Sequence, residues 1–255
     1  MIRRLLLATV FAAAAAAAEP VKVDGGEFAT VLPPMPGTEV IRVEDFLLDR
    51  IPVSNEAFLA FVTRNPEWRR GMAKKLLVGE HYLEHWKGPL TLGDESLREQ
   101  PVTNVSWFAA RAYCESRGGR LPSWHEWEYA AAAGRDEFDA RHRPEWRQRI
   151  LDWYAQTGGK PLRKVGAMPP DVRGIHDLHG LIWEWVEDYN ALMISGDNRE
   201  QGGADEVMFC GAGAASMKDR EHYAVLMRVA MLSSLKAGEG TRNLGFRCAY
   251  DPQGE

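Results

Sequence analysis

Three groups of residues in this 255-residue chain have types and spacings that could do chemistry. In "HYLEHW", His81 and His85 stand four apart with Glu84 beside them. On a helix that spacing puts both imidazoles on one face, where they could hold zinc or copper. Such a site needs a third ligand that the sequence does not supply, so a solvated or core pair is the preferred reading. Cys210 lies near Met208, Met217 and His222, a soft donor set suited to copper(I), and is the candidate catalytic residue. Against that stands the plainer reading of a small buried thiol. In "GIHDLHG", His176, Asp177 and His179 sit in a loop and are read chiefly as hydrogen-bonding it in place.

A fourth stretch, "CESRGGRLPSWHEWEYAA" from Cys114 to Ala131, mixes Trp124, Trp127 and Tyr129 with His125, Glu126 and Glu128. Aromatic side chains bury large areas and their polar tips bond loop backbone, so this stretch reads as core and not as catalyst. The glycines of "CGAGAA" lack the strand, spacing and lysine that a phosphate cradle needs. No cofactor-binding residues are assigned.

The elements that would position these groups are short. Strands are expected in "EPVKVDGGEFATVLP", around Gly25 and Gly26, and through "VIRVEDFLLDRIPVSN" as far as Pro52. Ser54 or Asn55 then caps a helix in which Phe58, Leu59, Phe61 and Val62 share a face. A second helix runs from about Phe108 to Ser116 and stops at Gly118 and Gly119. A third starts at Ser123, with Glu126 completing a capping box, and runs to Gly134. "PEWRQRILDWYAQ" is a further amphipathic helix, "LIWEWVEDY" a buried strand or tight turn, and "NLGFRCAY" a final strand. Helix and strand do not alternate regularly, which makes the fold an irregular α+β domain and not a doubly wound sheet.

Composition sets the outer bounds. With 45% hydrophobic and 26% charged residues the chain buries one sizeable core. Residues 1–18, "MIRRLLLATVFAAAAAAA", have the basic start, apolar run and small-residue site of an export signal. Residues 19–255 are then the mature domain, periplasmic or secreted, with no membrane span left after cleavage. Losing Arg3 and Arg4 takes Lys+Arg from 31 to 29 against 36 Asp+Glu, leaving a net charge of −7. A nucleic-acid partner is therefore not expected, and "EWRRGMAKK" reads as a solvated helix end. Three cysteines, Cys114, Cys210 and Cys248, leave one thiol unpaired or intermolecular in an oxidising compartment.

Four blocks, "IPVSNEAFLAFV", "QPVTNVSWFAARAYCESRGGRLPSWHEWEYAAAAG", "GIHDLHGLIWEWVEDY" and "NLGFRCAY", together resemble the formylglycine-generating enzyme, or sulfatase-modifying factor, family. The resemblance covers nearly all of residues 19–255 and implies an irregular, loop-rich fold related to the C-type lectin fold. It implies that Cys114 and Cys248 are bridged, a constraint of ~4 to 5 kcal/mol in the chain-entropy picture, with Cys210 free.

Active members of the family hold copper(I) through two cysteine thiolates five residues apart. In "FCGAGAASMKDREHYAVLMR" only Cys210 is present, with Ser216, Asp219, Glu221 or Ala224 where thiolates belong, so classical formylglycine generation is not expected. Calcium, which family members often bind, would meet Leu181 and Gly166 at two ligand positions. Asp171, Asp177, Glu184 and Asp188 supply oxygen nearby. The length, "HYLEHW" and "MRVAMLSSLKA" look most like the accessory branch found beside copper nitrite reductases. That implies a maturation or accessory factor for a periplasmic protein or peptide, with a metal-dependent oxidoreductase as one form it could take. The alternative is a non-catalytic protein- or ligand-binding module. Metal, substrate and oligomeric state stay open.

Overall fold

A computed structural model describes residues 19–34, 38–155, 161–189 and 223–252. Cys210, His222, Met208, Met217 and the expected export signal at 1–18 lie outside the described residues. The elements run β1 (Pro20–Val23), β2 (Gly26–Ala29), β3 (Val40–Val43), β4 (Phe46–Asp49), α1 (Asn55–Arg64), α2 (Trp107–Glu115), α3 (Trp124–Ala131), α4 (Pro144–Ala155), β5 (Trp183–Glu184), α5 (Tyr223–Ser233), β6 (Leu244–Gly245) and β7 (Ala249–Tyr250). This is mixed, irregular α+β architecture, most of its length lying in turns and loops.

Three small sheets hold it. The order β1-β4-β7 is antiparallel throughout, β2 pairs with β3, and β5 pairs in parallel with β6. The run 40–50, expected as one strand, breaks at Glu44–Asp45. Its halves pair with different neighbours, and Asp45 Oδ1 accepts from Gly25 N at 2.8 Å where the chain crosses itself. A Cβ on Gly25 would sit 2.2 Å from the Val43 carbonyl oxygen, so only glycine fits that crossing.

The helices start where their caps place them. Ser54 Oγ accepts from Ala57 N, which leaves Asn55 as the first helical residue. Ser106 Oγ accepts from Ala109 N, and Ser123 with Glu126 forms the full capping box of α3. Gly118, at φ +74°, ends α2 in the left-handed conformation that glycine adopts without penalty. A Cβ on Gly119 would collide with Tyr250 and Ala249, so β7 can dock against the end of α2.

There Cys114 and Cys248 form a disulfide, Cα to Cα 5.4 Å, across 134 residues of sequence. It sits in a fully buried aromatic core. Phe58 stacks on Tyr113 at 5.8 Å and meets Phe246 edge-on at 6.0 Å. No helix among the described residues is long and apolar enough to cross a membrane.

The helix that would have put His81 and His85 on one face does not form. "HYLEHW" is a run of turns and not a helix, because Leu83 adopts φ +50°. Arg70 locks that shape by donating to the carbonyls of Leu83, Glu84, Trp86 and Lys87. Arg69 donates to Val62 O and Thr63 O in the last turn of α1. Both guanidinium groups of "EWRRGMAKK" thus hold backbone.

Candidate functional site

The spacing of His81 and His85 does not bring the two rings together in one role. His81 Nδ1 pairs on the surface with Glu84 Oε2 at 2.6 Å, and that hydrogen bond holds the Glu84 carboxyl below the usual range. His85 turns inward, its Nε2 3.1 Å from Asn55 Oδ1. Burial depresses its pKa from 6.5 to about 4, so the ring is neutral at physiological pH. Among the described residues no group of three or more His, Cys, Asp or Glu side chains is placed to hold a metal ion.

His85 lines a cleft of about 590 Å³ together with Asn55, Glu84, Gln100, Thr103 and Asn104. Leu97, Pro101, Pro161 and Leu162 give it apolar walls, and Arg242 stands at its rim 3.6 Å from Glu84. The volume falls within the usual range of small-ligand and peptide-side-chain pockets. Asn55 is its hinge. Its Nδ2 donates to the carbonyls of Leu97, Gln100 and Pro101, and its Oδ1 accepts from Trp86 Nε1 at 2.7 Å. Asn104, at φ +51°, donates its N–H to Thr241 O and accepts from Leu83 N. The sequence reading missed both asparagines as site residues. Their only signal was position, one beside a helix cap and the other two residues before a capping serine.

A second polar cluster lies deeper. Arg247 and Glu184 are fully buried, with Nη2 to Oε1 at 2.8 Å and Nε to Oε2 at 2.9 Å. Arg247 also donates to Asp49 O and His176 O, and Trp127 Nε1 donates to Glu184 Oε2. Arg228 packs 3.5 Å over the Trp127 ring and donates to Glu184 O. Burial lowers its pKa to about 10. A buried pair with every nitrogen of Arg247 directed at an acceptor positions backbone, and here it ties β5 to the segment between β6 and β7.

The remaining sequence candidates hold structure in the same way. Trp124 and Trp127 are core, and His125 Nε2 meets Leu32 O at 3.1 Å. His176 Nδ1 meets Met168 O, and His179, between the edges of Trp127 and Trp146, meets Ala131 O. Asp177 Oδ2 accepts from Gly166 N.

The residues do not fit the family's metals. The disulfide occupies two of the chain's three cysteines, leaving Cys210 as the sole thiol, so a dithiolate copper(I) centre cannot assemble within one chain. At the two calcium positions, Leu181 is a buried hydrocarbon and Gly166 offers only backbone.

An irregular α+β domain in which a GFRC segment threads between a capped helix and a tryptophan-glutamate motif defines the formylglycine-generating-enzyme class of folds. The family profile described as "Sulfatase-modifying factor enzyme 1-like domain" matches residues 8–252, and the chain belongs to that family. It is 33% identical over 247 residues to the inactive C-alpha-formylglycine-generating enzyme 2 of Bos taurus, covering 82% of this chain and 78% of that relative. It is 27% identical over 256 residues to the formylglycine-generating enzyme of Thermomonospora curvata, covering 83% and 84%. The solved structure of CarF shares the fold at a TM-score of 0.52 and 17% identity, covering 92% of this chain and 99% of that one.

Proposed function

We propose that this protein is an exported accessory or maturation factor that engages a peptide segment of a periplasmic partner without the dithiolate copper chemistry of formylglycine generation. The disulfide carries this reading, since it removes Cys114 and Cys248 from metal chemistry and leaves one thiol. The likeness to both a formylglycine-generating enzyme and an inactive one supports it. The scaffold and the cleft then serve recognition.

The test is to incubate oxidised protein with copper(I), oxygen and cysteine-containing sulfatase peptides, following peptide binding, oxygen uptake and aldehyde formation together. Binding without aldehyde is expected, and stoichiometric aldehyde would refute the reading. Copper retained by wild type and lost from Cys210→Ala would instead assign a metal-dependent oxidoreductase centred on Cys210.

A further inference from the structure

Two buried polar atoms on residues lining the cleft lack hydrogen-bond partners, His85 Nδ1 and Asn104 Nδ2. Their chemical sense follows from their neighbours. Asn55 Nδ2 donates to three carbonyls, so Asn55 Oδ1 is the atom that faces Trp86 and His85. An indole N–H can only donate, which agrees. His85 Nε2 must then carry the ring proton, and Nδ1 is left as a bare lone pair. Asn104 Nδ2 is a donor. The residues lining the cleft therefore carry one unsatisfied acceptor and one unsatisfied donor on neighbouring segments, joined where Leu83 N donates to Asn104 O.

An unmade buried hydrogen bond leaves its group desolvated without compensation, so these atoms favour a ligand that supplies the complementary pair. A carboxylate or phosphate brings only acceptors and fails at Nδ1. An ammonium brings only donors and fails at Asn104. A hydroxyl brings both on a single oxygen, whereas an amide brings them on two atoms, which matches two partners carried by separate segments. The rim carries one charge of each sign, Glu84 and Arg242, which gives no preference for a charged ligand.

We infer that the cleft binds a peptide amide, its N–H donating to His85 Nδ1 and its carbonyl accepting from Asn104 Nδ2, with Leu97, Pro101, Pro161 and Leu162 against apolar flanks. This names the group recognised and rests on the reading that the protein engages a peptide.

The test uses two isosteric probes on oxidised full-length chain labelled with 15N-histidine. N-methyl-4-methylpentanamide carries the amide, and methyl 4-methylpentanoate replaces its N–H by oxygen. The amide should bind about tenfold more tightly than the ester, and only the amide should move the His85 Nδ1 resonance. Asn104→Gly removes the donor at a left-handed position that glycine suits. It should weaken the amide about tenfold while the unfolding midpoint holds. His85→Phe, which leaves Asn55 Oδ1 with its Trp86 partner, should abolish discrimination between the probes. Equal affinity for the two probes, saturable binding with Nδ1 unmoved, or no saturable binding would each overturn the inference. A sulfatase peptide that binds wild type and His85→Phe equally would overturn it too, while leaving the peptide-engaging role intact.

Discussion

Removing the Cys114–Cys248 bridge tests the whole arrangement at one bond. The loop it closes spans 134 residues, and the chain-entropy relation for a loop of that length gives about 5 kcal/mol of stabilisation. For a domain of this size that corresponds to a midpoint roughly 10–20 °C lower once the bridge is gone. The double variant Cys114→Ala/Cys248→Ala removes the bridge and keeps small side chains at two fully buried positions. Its urea and thermal unfolding curves should match those of reduced wild type.

Thiol titration supplies the second arm. Denatured, unreduced wild type should show one reactive thiol per chain, and reduced protein three. A loss of less than about 1 kcal/mol, far below the chain-entropy value, would refute the claim that the bridge closes the fold. Three thiols before reduction would refute the claim that only Cys210 is free.

Three further outcomes are expected. Arg247→Met leaves Glu184 buried without its cation and should cost about 3–5 kcal/mol in equilibrium unfolding, with Glu184→Gln also destabilising. Ser123→Ala removes the α3 cap and should cost about 1 kcal/mol. His85 has a folded pKa of about 4 against 6.5 unfolded, so between those values the unfolded chain binds the extra proton. Its contribution to stability should fall as pH drops from 6.5 towards 4, by up to about 1.4 kcal/mol per pH unit, and level off below. Subtracting the pH profile of His85→Phe isolates that component, and a flat difference would contradict the burial of the ring.

What the sequence discloses here is local. Ser54 and Ser123 announce helix starts because capping chemistry needs only four consecutive residues, and Trp124 and Trp127 announce core because little else accommodates an indole. "HYLEHW" misleads because helical spacing is judged within the segment, whereas its conformation is set by Arg70, more than ten residues earlier. The 40–50 run reads as one strand because its pleat continues, and nothing local says that its halves take different partners. The cleft was illegible for the same reason. Asn55, His85, Asn104, Leu162 and Arg242 meet only after the chain has folded, and no periodicity links them.

The pairing of β4 with β7 has a consequence for biogenesis. Leu47 sits opposite Tyr250, so the central sheet cannot close until the last strand has left the ribosome. At typical synthesis rates that is roughly 10–40 s after β4 emerges. Through that interval β4 has no β7, Cys114 lacks its Cys248 partner, and Glu184 waits for Arg247. A nascent chain built this way keeps β4 as an open sheet edge until β7 reaches it.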